Sequence, residues 1–323
     1  MTAPTLDVYL SDEDLTAALR SDARRGLTAD PKWLPPKWFY DARGSELFER
    51  ITELPEYYPT RTERALLERV VGDIARTAQA EVLVELGAGS AAKTRLLLSA
   101  LTAEGPLKTY VPQDVSSAAL RDAAEQVAAE FPALAVHGVV SDFTDTLHNL
   151  PRGGRRMIAF LGGTIGNLVP DERAAFLAGI RDVLEPGERL LLGAGLVIEP
   201  EVLVPAYDDA AGVTAEFNRN VLHVLNQRLR ANFEPEKFTH VALWDAEREW
   251  IEMRLAATED MTVTVADLDL TVRFARGEQL RTEISAKFRV DGLDGELAAA
   301  GFRTERVWTD PGDRFALVLA ARV

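Results

Sequence analysis

Val84-Glu85-Leu86-Gly87-Ala88-Gly89-Ser90-Ala91-Ala92 is the stretch on which the fold turns. An apolar run, Val82 to Leu86, meets two glycines and then a helix-compatible stretch, so the chain passes from strand through a tight turn into a helix. Glycine in such a turn lets the backbone approach a ligand closely. The pattern also fits the dinucleotide fingerprint G-x-G-x-x-G/A with Ala92 in the last place, so the turn alone admits a nicotinamide oxidoreductase as readily as another nucleoside-binding enzyme.

Downstream, apolar runs of strand length alternate with amphipathic stretches, which is how a parallel sheet covered by helices reads. Strands are expected at 82–86, 109–113, 135–140, 157–161 and 189–193, with helices at 91–103, 116–130 and 171–184 between them. These five β/α units predict a doubly wound α/β sheet. A helix 292–300 and strands 302–308 and 315–322 close the chain, and the short link DPGD makes the two strands a hairpin. Residues 197–286 break the rhythm with a long helical pattern at 201–231 followed by alternating strands, an inserted α+β piece. Upstream, 7–30 reads as helix, and Pro31, Pro35 and Pro36 open an extended aromatic segment with a short helix at 44–53. The expected division is therefore a sheet domain of 62–196 with 287–323, and a second domain of 1–61 with 197–286.

Three features around the turn favour methyl transfer over hydride transfer. Glu85 ends the first strand, where methyltransferases carry an acid beside the amino-acid end of S-adenosylmethionine and where a pyrophosphate would be repelled. Asp142-Phe143 follows the third strand as a carboxylate and a ring suited to adenine. The terminal hairpin is the edge that separates methyltransferase sheets from purely parallel ones. Asp114, at the end of the second strand and 25 residues after Gly89, can hold a ribose diol in either class, so it indicates a nucleoside only.

Composition narrows the substrate. Fifty-one acidic against 36 basic residues give a net charge of −15, which repels a nucleic-acid backbone and favours a small molecule. The absence of cysteine excludes disulfides, thiolate metal sites and thiol nucleophiles, and four histidines offer little for a metal, so none is expected. No apolar run approaches the ~20 residues of a spanning helix, and the N-terminus lacks a leader pattern. The sequence reads as a cytoplasmic protein with no membrane or nucleic-acid partner, expected to act as a monomer.

Several long strings together resemble the histidine Nα-methyltransferases of ergothioneine biosynthesis: LPPKWFYDARGSELFERITELPEYYPTRTE at 34–63, VELGAGSAAKTR at 84–95, FLGGTIGNL at 160–168, AYDDAAGVTAEFNRNVL at 206–222, IEMRL at 251–255 and TEISAKF at 282–288. The resemblance implies a Rossmann-like sheet with the hairpin edge, a second mixed α+β domain, and trimethylation of the α-amino nitrogen of L-histidine to the betaine hercynine. It implies that Tyr40, Gly87, Lys93, Asp114, Asp142 and Phe143 hold S-adenosylmethionine, with Glu85 beside them. It further implies that Tyr57, Gly162, Asn167, Tyr207, Met253, Glu283 and Ser285 hold histidine in the cleft between domains, and that Tyr40 and Asn167 stand nearest the chemistry. One departure is Gly195-Leu196-Val197-Ile198-Glu199, where such proteins more often read Asp-Leu-Val-Lys-Asp.

On that reading the phenols of Tyr57 and Tyr207 and the amide of Asn167 clamp the substrate carboxylate. Glu283 accepts from one imidazole nitrogen, Ser285 donates to the other, and Met253 meets the ring. Their spacing of two residues puts Glu283 and Ser285 on one face of a strand. The alternatives are a relative methylating tyrosine, tryptophan or prenylated tryptophan, and a cofactor-binding module without catalysis. A large apolar ring would leave Glu283 unpaired.

Overall fold

A computed structural model describes residues 3–89, 93–143 and 147–323. The chain forms two compact units, one of Met1–Ser11, Arg61–Leu196 and Phe288–Val323, the other of Asp12–Thr60 and Val197–Lys287. The start of the chain differs from expectation. Residues 7–30 are not one helix: strand β1 (Thr5–Val8) precedes a helix at Asp12–Leu27. Because β1 pairs in parallel with the strand Ala135–Val140, the first residues go with the sheet instead of with the second unit.

In the first unit β2 (Val82–Leu86), β3 (Thr109–Asp114), β4 (Ala135–Val140), β5 (Arg156–Phe160) and β6 (Arg189–Gly195) are joined by β12 (Phe302–Thr309) and β13 (Phe315–Arg322), which follow the second unit's strands in the chain. The sheet order is β1-β4-β3-β2-β5-β6-β13-β12. All pairings are parallel up to β6, and β13 runs against both β6 and β12. Every residue of β2 and β5 is buried, the reason these strands read as mostly apolar runs broken only by Glu85 and Arg156. The edge strand β12 instead carries Arg303, Glu305 and Arg306, charges that discourage pairing with another chain.

The covering helices Thr94–Glu104, Ser117–Glu130 and Pro170–Val183 lie close to their expected places. Residues 91 and 92, with which the first was expected to begin, lie outside the described residues, as does Ser90. A helix at Tyr58–Ala78 was not foreseen. Its Pro59 falls in the first turn, where a missing N–H costs little, and the prolines around it hide the period. That period is nevertheless present in the buried Leu66, Leu67, Val70, Ile74 and Ala78. The sheet is stitched where the chain leaves it and returns: Phe288 N–H donates to Gly195 O at 2.9 Å, and Leu196 and Phe288 form a parallel bridge.

In the second unit the helical pattern expected over 201–231 is broken. A turn at Pro200–Leu203 gives way to a 3-10 turn, Val204–Ala206, and the long helix starts only at Val213 and runs to Leu229. Asp209 marks the new start, accepting from Val213 N at 3.0 Å and Thr214 N at 2.7 Å. This helix shares an apolar core with the strands β7 (Phe238–Asp245), β8 (Trp250–Ala257) and β11 (Gln279–Ala286), which form an antiparallel sheet in the order β11-β8-β7. A hairpin of β9 (Met261–Val265) and β10 (Leu270–Phe274) completes the unit.

Candidate active site

In the first unit the strand order reverses between β2 and β5, and it is outside the carboxyl ends of strands at such a switch point that open α/β sheets bind ligands. Gly87, Asp114, Asp142 and Gly162 follow or end β2, β3, β4 and β5 at that edge. Gly87 and Gly89 have φ of +69° and +49°, which favour glycine. The N–H groups of Gly87 and Ala88 donate to Gln113 O at 2.9 and 3.1 Å, tying the turn to β3. A side chain on Gly87 would meet nothing within 4 Å, so the turn presents open backbone to a ligand.

Asp114 binds the turn as well: Oδ2 accepts from Gly89 N at 3.4 Å and Oδ1 from Ser116 N at 3.0 Å, while burial raises its pKa. Phe143 stacks edge-on against Phe160 and Phe176 at 5.2 and 5.7 Å, a packed wall beside the half-buried Asp142. The Glu85 carboxylate is buried and accepts from Thr94 Oγ1 at 2.5 Å and Tyr110 OH at 2.7 Å. Burial raises its pKa and those two bonds oppose the rise. Its contacts therefore lock β2 to the following helix and to β3.

Glu63 escaped the sequence reading. It is completely buried, pairs with Lys93, and accepts from Gly162 N at 2.8 Å. One carboxylate thus ties a cofactor candidate, Lys93, to a substrate candidate, Gly162. Room for it is made by Gly193 on β6, where an added Cβ would lie 2.2 Å from Glu63 Oε1. Asn167 ends the 3-10 turn Thr164–Asn167, which starts just after Gly162 and Gly163, both at positive φ.

The second unit holds Tyr40, Tyr57, Tyr207, Met253, Glu283 and Ser285. Glu283 lies opposite Met253 in the β11–β8 register, and a shift in that register sits between Arg281 and Glu283. Glu283, Ser285 and Met253 are all buried. Tyr207 OH and Ser285 Oγ lie 2.8 Å apart, and Tyr57 packs edge-on to Tyr207 at 6.3 Å. Burial pushes the pKa of Glu283 up to about 7, with the Lys287 charge pulling against it. Tyr57 and Tyr207 are raised above the usual phenol range, first by burial, with the Glu283 charge also contributing. Tyr40 keeps 41% of its surface open, yet its phenol is raised too, first by crowding out of water and then by the charges of Glu283 and Tyr207. These phenols remain neutral donors near neutral pH.

Both Tyr40 and Tyr207 are held by buried amides. Asn220 Nδ2 donates to Phe39 O at 3.1 Å and to Asp41 Oδ1 at 2.7 Å, fixing the residues on either side of Tyr40. Gly44 is required there, because a Cβ would lie 1.7 Å from Phe39 O. Asn218 Nδ2 lies 2.8 Å from His240 Nδ1, whose Nε2 lies 2.8 Å from Tyr207 O. With the amide donating, Nδ1 accepts and Nε2–H donates, the neutral tautomer that burial of His240 favours. Asn218 Oδ1 accepts from Thr282 Oγ1 at 2.6 Å, joining the Tyr207 support to the residue before Glu283.

Lys287, the second residue sequence reading passed over, donates to Tyr207 OH at 2.8 Å and Ser285 Oγ at 2.6 Å. The signal was its spacing, since Glu283, Ser285 and Lys287 alternate along one stretch. Among the described residues no group of three or more His, Asp or Glu side chains is placed to hold a metal ion.

A dinucleotide-binding sheet would continue with parallel strands after β6. The reversed β13 set between β6 and β12 instead makes this the sheet of an S-adenosylmethionine-dependent methyltransferase. A family model described as histidine-specific, S-adenosylmethionine-dependent methyltransferase matches residues 19–322, and the chain belongs to that family. It is 51% identical to a histidine N-alpha-methyltransferase of Mycolicibacterium smegmatis, over 97% of this chain and 98% of the relative. Against a histidine N-alpha-methyltransferase of Mycobacterium tuberculosis the identity is 49% over the same shares. Ergothioneine biosynthesis protein 1 of Neurospora crassa is 29% identical, over 90% of this chain and 33% of that longer one.

Proposed function

We propose that this enzyme transfers methyl groups from S-adenosylmethionine to the α-amino nitrogen of L-histidine, up to the trimethylated betaine hercynine, a precursor of ergothioneine. The observation that carries the reading is the buried Glu283, placed opposite Met253 and two residues from Ser285. A buried carboxylate needs a donor, which an imidazole N–H supplies, while the second imidazole nitrogen is an acceptor for the Ser285 hydroxyl that an indole ring lacks. The near-complete relatives named for histidine support the same substrate.

The cofactor residues fit the group they are assigned. Open backbone at Gly87 takes the amino-acid portion, Asp114 the ribose diol, and Asp142 with Phe143 the adenine, with Lys93 near the carboxylate end. Bound there, S-adenosylmethionine supplies an electrophilic methyl group: its S–C bond breaks as an N–C bond forms. The protein positions the amine and excludes water from it. Tyr57, Tyr207 and Asn167 are assigned to the substrate carboxylate, Glu283 and Ser285 to the imidazole. The amine must first lose a proton. Tyr40 is a neutral phenol, so it can pass that proton through hydrogen bonds to solvent but does not serve as a phenolate base.

Between transfers the amine gains a methyl group in place of a proton, so each round needs the nitrogen lone pair presented again until none remains. We assign the cofactor to the first unit, and the imidazole to the second. The reaction is assigned to the cytoplasm and to a single chain. Among the described residues no helix is long and apolar enough to cross a membrane.

The test is incubation with S-adenosylmethionine and each of the common amino acids, read by mass. Histidine gains methyl groups in successive steps. Methylation of tyrosine or tryptophan with none on histidine would overturn the substrate.

A further inference from the structure

Lys287 is buried beside the candidate substrate residues Tyr207 and Ser285, and the roles assigned to Glu283, Ser285 and Tyr207 do not use it. Its Nζ donates to both hydroxyls of a pair that are themselves hydrogen-bonded. The pair owns two O–H protons. One is spent between Tyr207 and Ser285, and Lys287 takes one lone pair on each oxygen, so the oxygen that accepts the mutual bond has both lone pairs filled and only its O–H left to give outward. On the same chain, Lys287 offers its charge to Glu283.

We propose that Lys287 is the positioning residue that sets the polarity of the substrate pocket, making the hydroxyl pair a donor and keeping Glu283 an acceptor, so that only a neutral imidazole fits. An imidazolium carries N–H on both nitrogens and would set a donor against the outward O–H. The proposal rests on histidine being the substrate.

The groups facing this centre come from several elements. Tyr40 follows the turn Pro36–Phe39, Tyr57 precedes the helix Tyr58–Ala78, and Tyr207 follows the turn Val204–Ala206; each couples to the Glu283 charge. Tyr58 and Glu283 face Lys287 and favour its charged form against burial. From β8 the residue opposite Glu283 is the uncharged Met253, while Glu252 lies opposite Ile284 and is held by Trp250 and Arg254. Lys287 is thus the cation that opposes the rise in the Glu283 pKa.

The experiment measures histidine binding calorimetrically to the full chain saturated with S-adenosylhomocysteine, from about pH 6 to about pH 9. Lys287→Met is expected to weaken histidine by about tenfold or more and to move the acid limb of the affinity profile up by about one pH unit. Binding of S-adenosylhomocysteine is expected to stay unchanged. Lys287→Arg keeps the charge and holds the limb in place. Lys287→Gln, which keeps donors without charge, serves if the methionine variant fails to fold, and shifts the limb in the same direction. Ligand ionisation is common to all the proteins, so a shift between them belongs to the pocket. A limb that stays put in the methionine or glutamine variant overturns the proposal, whether affinity falls evenly or not at all. Wild-type protein that binds S-adenosylhomocysteine but not histidine overturns the substrate reading instead.

Discussion

The hydroxyls of Tyr207 and Ser285 lie 2.8 Å apart. Sequence reading gives these residues to opposite ends of an amino acid, the phenol to the carboxylate and the serine to the imidazole. Their contact joins the two assignments: a ligand that pulls on one hydroxyl changes what the other can donate. With Lys287 bonded to both, the three side chains form one hydrogen-bond network, and networks of this kind resist partition into independent contacts.

Glu283→Ala is expected to weaken histidine by about 2 kcal/mol or more, roughly thirtyfold, because a hydrogen bond to a buried charged group is lost. Cofactor affinity stays as in wild type. Glu283→Gln keeps an acceptor oxygen but cannot ionise. In the wild type the acceptor form predominates above about 7, so histidine affinity rises with pH through that value; the glutamine variant loses that contribution. Calorimetric titration of both ligands across pH checks the pair, and equal loss of both ligands would remove the imidazole role.

Asn218→Ala removes a partner from His240 Nδ1, Thr282 Oγ1 and Arg254 O at once, leaving the Thr282 hydroxyl its bond to Met253 O. The expected loss is about 2–4 kcal/mol of stability, with a higher KM for histidine and little change in kcat. Chemical denaturation and steady-state kinetics on the same preparation separate the two effects. A fully stable variant with normal KM would show that the network does not hold Tyr207.

On the sheet, Gly193→Ala pushes a methyl group onto Glu63, and Glu63→Ala leaves Lys93 and the Gly162 N–H without that partner. Both changes are expected to weaken S-adenosylmethionine, and Glu63→Ala to cost about 1–3 kcal/mol of stability, since the Gly162 N–H loses its acceptor while the orphaned Lys93 keeps some access to water. Glu63→Gln, which retains an acceptor for Gly162, should fall between. Equilibrium binding of S-adenosylhomocysteine and a melting curve test this; tight binding in all three would free Lys93 from any dependence on Glu63.

Tyr40→Phe should slow methylation by no more than about tenfold, because the raised phenol is a neutral donor and its loss removes one hydrogen bond. Single-turnover rates against pH should keep their shape. Loss of an alkaline limb in the variant would show that Tyr40 ionises in turnover.

Much of the sheet is legible in the sequence because largely buried parallel strands leave short apolar runs between helical stretches, as at Val82–Leu86 and Ala135–Val140. What was missed depends on partners far along the chain. Thr5–Val8 is a strand because β4 lies beside it, and nothing in four residues announces that. The expected 201–231 helix failed at Pro205 and at Gly212, whose φ of +75° starts a new helix with Asp209 as its cap. Of the candidate site, the residues assigned to ligands come from the resemblance. Glu63 and Lys287 face other site residues, and their roles became visible only once Gly162, Lys93, Tyr207 and Ser285 had positions.

The bridge between Leu196 and Phe288 has a further meaning for how such enzymes diversify. Because the departing and returning chain ends are already joined by the sheet, the segment from 197 to 287 is an excursion whose two ends the sheet itself closes. Closing a longer excursion costs little more than closing a short one. The strand pairing that closes the sheet therefore sets no length for the segment between Leu196 and Phe288, which can be lengthened or shortened without unpicking the hem.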